Sequence, residues 1–205
     1  VADLTIVITT WDRHPALEAC AVQFVASAKR HGYTVWQYAD EVSPPVPEVD
    51  RFERIPRDGR LTCVYCADVW AQIPLERYVV MDVDQLILLP IDEGMEGPGV
   101  VTLFDRPHRN PDQRYSGGLI FVRDPAFMRD VAKYVRECNE HEQAWTAGQS
   151  AIARVVTERK HRVRTITDAR WNWTPNYRGQ AIPADVRVLH FKGHARKEWI
   201  TAYPE

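Results

Sequence analysis

The hydrophobic and polar positions of the chain follow two alternating periods. Residues 4–9 (LTIVIT) are a run of β-branched and apolar side chains, the pattern of a strand covered on both faces. A loop over 10–14 follows, and Pro15 opens a helix predicted over 15–30 that His31-Gly32 ends. Residues 33–38 read as a second strand, followed by the proline-rich loop 43–47. A helix over 61–72 leads into the apolar strand 78–81, which runs into Asp82-Val83-Asp84. Strands at 100–104 and 119–122, helices at 125–140 and 147–157, and a late strand at 186–191 complete the pattern. Strands alternating with helices predict an α/β fold: a mostly parallel mixed sheet flanked by helices. No internal repeat, low-complexity tract or linker interrupts it.

Composition narrows the picture. The chain has 205 residues, 45% hydrophobic and 26% charged, which suits one globular domain with a full core. A single folding unit over 1–205 is expected, either a whole protein or one domain of a longer one. With 26 basic against 28 acidic residues there is no general attraction to nucleic acid or anionic membrane, so anion binding has to be local. The longest apolar stretches, such as 86–91, fall far short of the roughly 20 residues of a membrane span. Residues 1–10 lack the basic flank and cleavage signal of a targeting segment. Of Cys20, Cys63, Cys66 and Cys138, only Cys63 and Cys66 form a CxxC, and no second ligand pair completes a zinc site. Three residues apart on a predicted helix, both are expected to face the core. This is the cysteine usage of a reducing compartment, so a cytoplasmic location is expected.

Candidate chemistry begins at the end of strand 78–81. In open α/β sheets ligands bind beyond the carboxyl ends of the strands, where Asp82 and Asp84 fall. Two aspartates one residue apart point the same way on an extended backbone and can share a divalent cation. DxD alone is a short string, equally compatible with two solvated loop acids. The second signal is 188–197, where a strand delivers His190, Lys192, His194, Arg196 and Lys197 within eight residues, with Gly193 among them. Such a segment suits a diphosphate: His190 can ligate a metal through neutral imidazole, Lys192, Arg196 and Lys197 can neutralise phosphate oxygens, and Gly193 lets backbone amides approach.

These phrases resemble, in the same order, those of the glycogenin-like and bacterial galactosyltransferase-like GT-A glycosyltransferases, glycosyltransferase family 8. YVVMDVDQLILL (78–89) is similar to that family's strand and DxD, and HFKGHARKEW (190–199) to its closing HFxGxxKPW. The resemblance implies the GT-A fold, a Rossmann-like nucleotide-diphospho-sugar transferase architecture. It implies metal-dependent transfer of a sugar from a nucleotide-sugar, of the UDP-hexose kind, to a saccharide or other hydroxyl acceptor. Asp82, Asp84 and His190 would hold Mn²⁺ or Mg²⁺ against the diphosphate, with Val83 between the aspartates and Gly193 and Lys197 on the diphosphate. Ser116, Gly117 and Gly118 resemble the family's strand beside the donor sugar, and Trp171-Asn172 its pair near the acceptor. Thr9, Thr10 and Asp12 fall where the family cradles the nucleoside.

The chain departs from the pattern at several points. The family's aspartate-glutamine pair on the transferred sugar is Gly148-Gln149 here, leaving Gln149 as the polar contact. Ser116 replaces an asparagine, Cys66 falls at the usual helix lysine, and the closing phrase is one residue longer, so either Arg196 or Lys197 meets the phosphate. An inverting reaction would need a carboxylate base, for which Asp105 is the candidate; a turn-capping acid is the alternative reading of it. Trp171, Trp173 and Trp199 are candidates for sugar stacking or for the core, and Trp11 and His14 for flanking a base. Asp68 and Glu76 read as solvated helix-end acids, and His31, His108, His141 and His161 follow no pattern. Two alternatives remain open: a nucleotide-sugar binding relative without catalysis, and a DxD phosphatase of the haloacid dehalogenase type.

Overall fold

The computed structural model describes residues 4–106 and 110–200. In chain order it contains β1 (Thr5–Thr10), α1 (Pro15–Arg30), β2 (Thr34–Ala39), β3 (Arg51–Arg54), α2 (Thr62–Gln72), β4 (Tyr78–Met81), β5 (Gln85–Ile87), β6 (Val101–Asp105) and β7 (Tyr115–Val122). Then follow α3 (Ala126–Glu137), α4 (Glu140–Trp145), α5 (Ala147–Glu158), β8 (Val163–Ile166), β9 (Val188–His190) and α6 (His194–Lys197). Seven strands form one sheet in the order β3-β2-β1-β4-β7-β6-β8, and β5 and β9 form a second, two-stranded sheet. β1–β2, β2–β3 and β6–β8 are parallel, whereas β6–β7 is antiparallel, so the sheet is mixed as expected. Among the described residues no helix is long and apolar enough to cross a membrane.

Two compact units divide the chain. The first comprises the described parts of 1–54, 81–93 and 168–205. In it α1 starts where Pro15 removes an N–H that has no partner and His14 Nδ1 accepts from Ala16 N at 3.2 Å. It ends in a Schellman motif: Gly32 N donates to Lys29 O and Tyr33 N to Ala28 O, with Gly32 at φ 75. α1 packs on β2 and β5, and Cys20 joins Leu86, Leu189, Phe191 and Ile200 in a core beneath the two-stranded sheet.

The second unit comprises the described parts of 55–80 and 94–167. β7 runs through it, and Phe121 lies so close to Gly94 that a Cβ there would come within 2.2 Å of its ring. α3 packs against α2 and α5. Asp68 on α2, expected as a solvated acid, is instead buried and paired with Arg60 (2.9 Å) and Arg136. The two arginines supply the counter-charge that permits its burial. Glu76 is exposed, as expected.

Element ends differ from the sequence reading in instructive ways. The helix predicted over 125–140 stops at Glu137, because Asn139 starts α4 with a capping box whose partner is Glu142. The strand predicted at 119–122 begins at Tyr115, so Ser116, Gly117 and Gly118 lie within β7. β6 extends to Asp105, which therefore closes the strand instead of following it. The late strand shrinks to 188–190 and pairs antiparallel with β5, outside the main sheet. Cys66 is buried as expected, but Cys63 is only half-buried; none of the four cysteines is in a disulfide.

Candidate functional site

β4 is buried throughout, and the chain leaves it through Asp82 and a turn at Val83 and Asp84 before β5. The two aspartates thus flank Val83 where β4 gives way to the turn and do not share one extended strand, with Asp82 half-exposed and Asp84 buried. The antiparallel ladder β5–β9 brings the second motif to the first: Gln85 faces His190, Leu86 faces Leu189, and Phe191 N donates to Asp84 O at 2.9 Å. Leu86, Leu189 and Phe191 are buried in the core below, so a slip of one residue would place apolar side chains in the site.

Asp82, Asp84 and His190 form, among the described residues, the one group whose ligand atoms all lie within 4.8 Å of one another as a metal site requires. His190 Nε2 is 3.2 Å from Asp84 Oδ1 and 3.8 Å from Asp82 Oδ2. On the far side of the ring, Nδ1 is 2.7 Å from Asn172 Oδ1 and 3.2 Å from Gln85 Nε2. The shorter contact assigns the proton to Nδ1, which donates to Asn172 and leaves the Nε2 lone pair facing the carboxylates. This is the arrangement of a metal-ligating histidine fixed by a hydrogen bond at its other nitrogen. Lys197 Nζ donates to Asp84 Oδ2, so Oδ1 is the oxygen turned toward His190. Two carboxylates and an oriented neutral imidazole make a donor set that fits a divalent cation.

Electrostatics separate the two acids. Desolvation by the atoms packed around it and then the Asp84 charge push Asp82 upward, although its side chain keeps some contact with solvent, against the pull of a protonated His190, Lys197 and Lys192. Burial alone would raise Asp84 as well, but His190 in its protonated form, and Lys197, outweigh it and hold Asp84 well below the usual carboxylate range; ligation through Nε2 would replace that imidazolium charge with the charge of the cation. Beneath Asp84, Cys20 Sγ donates to Lys197 O at 3.6 Å, and its thiol is pushed up to about 11, first by burial and then by Asp84.

The closing segment turns at Gly193, whose φ 83 and ψ 158 lie where residues with a Cβ rarely go. Past it, Lys197 reaches Asp84, whereas Arg196 donates to Lys192 O at 3.0 Å and lies over the Trp199 ring. Between the two candidates for the phosphate contact, Lys197 is therefore the one placed at the aspartates.

A cleft of about 170 Å³ opens beside the end of β1, lined by Thr9, Thr10, Trp11, His14 and Val83 together with the first turns of α1 and loop 43–47. It has the scale of a site for one ring system, since an apolar cavity of ~150 Å³ takes benzene. The Thr9 hydroxyl is buried and makes no hydrogen bond among the described residues, whereas Thr10 Oγ1 accepts from Gln37. Asp12, expected to join Thr9 and Thr10, is absent from the lining. It sits on the adjoining turn with φ 62, followed by Arg13 at φ 40, and its N–H donates to Asp40 Oδ2 at 2.7 Å. Two successive left-handed residues other than glycine mark local strain of the kind that gathers at functional sites.

In the second unit, Gln149 on α5 accepts from Arg106 at 2.6 Å, and a Cβ on Gly117 would lie 3.9 Å from Gln149 Cγ. Ser116 is buried, its hydroxyl accepting from Gly118 N. Asp105 gives both oxygens to Arg114, which weakens it as a free base. Trp171 is buried under Arg187, and Trp173 and Trp199 pack on the core of the first unit. Asn172, expected near an acceptor, accepts from His190 Nδ1. His108 lies outside the described residues. The sequence reading did not single out Gln85, Arg106 or Arg114: Gln85 adjoins the DxD, but no motif marks either arginine.

No protein-family model matches the sequence, and neither does any curated protein. Among solved structures, the chain is similar to the galactosyltransferase LgtC, determined in complex with donor and acceptor sugar analogues. The TM-score is 0.66 at 12% identity, covering 98% of each chain. The α/β architecture described above is thus the GT-A fold that this galactosyltransferase shares.

Proposed function

We propose that the protein is a metal-dependent glycosyltransferase that takes a hexose from a UDP-sugar and passes it to a hydroxyl on a carbohydrate acceptor. The observation that carries this reading is the convergence of Asp82, Asp84 and His190 at the end of β4, with His190 held by Asn172 for ligation through Nε2. On this reading the three side chains hold Mn²⁺ or Mg²⁺. A bound divalent cation supplies Lewis-acid stabilisation of the charge that gathers on the leaving diphosphate.

The chain's own residues supply the rest. Lys197 offsets the charge of the aspartates, and Lys192, whose charge also acts on Asp82, lies on the same segment. Both cations stand where negative charge builds on the diphosphate as the anomeric bond breaks. Thr9, Thr10 and Val83 line the cleft for the nucleoside, and Trp11 and His14 wall it. By their likeness to the GT-A pattern, Ser116, Gly117, Gly118 and Gln149 would serve the transferred sugar, and Asp105, at the end of β6, is the carboxylate to test as a base.

The test is hydrolysis and transfer from UDP-hexoses with and without Mn²⁺. Metal-dependent release of UDP, reduced on the order of 10²-fold in Asp84→Asn, supports the reading. UDP binding with no release of sugar to water or to any acceptor would make it a nucleotide-sugar binding protein. Release of UDP that is indifferent to Asp84→Asn would remove the metal role.

A further inference from the structure

Most polar side chains around the cleft beside β1 are already engaged. Thr10 Oγ1 accepts from Gln37, His14 Nδ1 caps α1, and the Ser43 hydroxyl donates to Asp40. Much of the remaining lining is apolar, with Leu17, Ala21, Val46 and three prolines. Thr9 and Glu18 also line the cleft, and they differ from the rest. The Thr9 hydroxyl and Glu18 Oε1 are both buried, and neither makes a hydrogen bond among the described residues. Glu18 has a charged neighbour in Arg13, but the Arg13 Nε lies 3.6 Å from Oε1, beyond hydrogen-bond reach, on a side chain 70% exposed. The ion pair therefore leaves the carboxylate able to accept. A buried oxygen without a donor is unfavourable, and in the wall of a cleft a ligand that brings the donor removes the defect.

We propose that Glu18 is the residue that selects the base: its carboxylate accepts from the N3–H of uracil and so favours uracil over cytosine. The inference rests on the reading that this cleft holds the nucleoside of a UDP-sugar. A carboxylate only accepts, whereas the Thr9 hydroxyl can donate to a carbonyl oxygen of the same ring. Uracil presents N3 as an N–H between two carbonyl oxygens, which matches that pair. Cytosine has a ring of the same size, but its N3 is a bare lone pair, so Glu18 would meet it acceptor against acceptor. Shape cannot separate the two bases, and a site built to accept from an N–H rejects the analogue that lacks it. One hydrogen bond to a charged group corresponds to a preference of about 10- to 100-fold.

The experiment is calorimetric titration of the full chain, with Mn²⁺ present, with UDP and with CDP, in the parent protein and in Glu18→Gln. The substitution keeps the shape of a side chain that is 39% exposed, so the fold is retained. It also adds an amide N–H that can donate to N3 of cytosine. Tighter binding of UDP than of CDP by about 10-fold or more in the parent, narrowing to within about 3-fold in Glu18→Gln, supports the proposal. Equal binding of the two nucleotides by the parent overturns it while leaving the nucleotide cleft in place. A preference for UDP that stays above about 3-fold in Glu18→Gln overturns the assignment to Glu18. Tighter binding of CDP by the parent, or no binding of either nucleotide, overturns the underlying UDP-sugar reading and this proposal with it.

Discussion

Asn172 Oδ1 lies 2.7 Å from His190 Nδ1 with both side chains buried, and this contact sets which ring nitrogen faces Asp82 and Asp84. Asn172→Ala removes the acceptor that holds the tautomer. Mn²⁺ affinity, measured by titration calorimetry, is expected to fall about 10- to 100-fold with the fold retained. Unchanged affinity would mean that His190 does not depend on Asn172 for its orientation.

Gly193 is the residue that lets the segment after β9 turn back toward Asp84. A Cβ at this position meets no atom, so Gly193→Ala acts through its backbone alone. With φ 83 and ψ 158 it should cost about 1–3 kcal/mol in denaturant unfolding, and UDP binding should weaken as Lys192 and Lys197 shift. Parent-like stability and binding would show that the turn accepts other residues.

How much of this was legible in the sequence depended on the range of the interactions. The β4 run and the DxD after it are local patterns, and both stand where the apolar periodicity put them. The start and stop of α1 were also legible, because Pro15 and Gly32 act through their own backbones. The β5–β9 ladder was not: antiparallel strands of three residues carry no period, and their register is set by Leu86, Leu189 and Phe191 in a core that only the folded chain assembles. Asp68 looked solvated because its partner Arg136 is 68 residues away. Asn172 was read near an acceptor by resemblance, and its contact with a histidine 18 residues on carries no signal in the sequence.

Asp40, at the end of β2, accepts hydrogen bonds from the N–H groups of Asp12, Val42 and Ser43. Burial alone would raise its pKa, but these donors and the Ser43 side chain outweigh burial and lower it. A carboxyl lowered on folding stabilises the native state above its unfolded value of about 3.9, and that contribution is lost as pH falls through the native value. Asp40→Asn is therefore expected to lower stability at pH 7 by about 1–3 kcal/mol and to flatten its pH dependence below pH 4. An unaltered acid limb in urea unfolding would contradict this.

Cys20 provides a chemical check on the ground beneath the site. With its thiol raised to about 11, it stays protonated and unreactive at pH 8, whereas the half-buried Cys63 is more accessible. Mass spectrometry after native iodoacetamide treatment should find Cys63 alkylated before Cys20. Cys20 reacting as fast as Cys63 would show that the packing around Lys197 is open.

The central claim is that Asp82, Asp84 and His190 bind a divalent cation that in turn holds the nucleotide diphosphate. Calorimetric titration of UDP, with and without Mn²⁺, in the parent protein and in Asp84→Asn, tests it most directly. Micromolar UDP binding that requires Mn²⁺ and disappears in Asp84→Asn is the expected result; UDP binding of equal strength without the metal, or in Asp84→Asn, would contradict it.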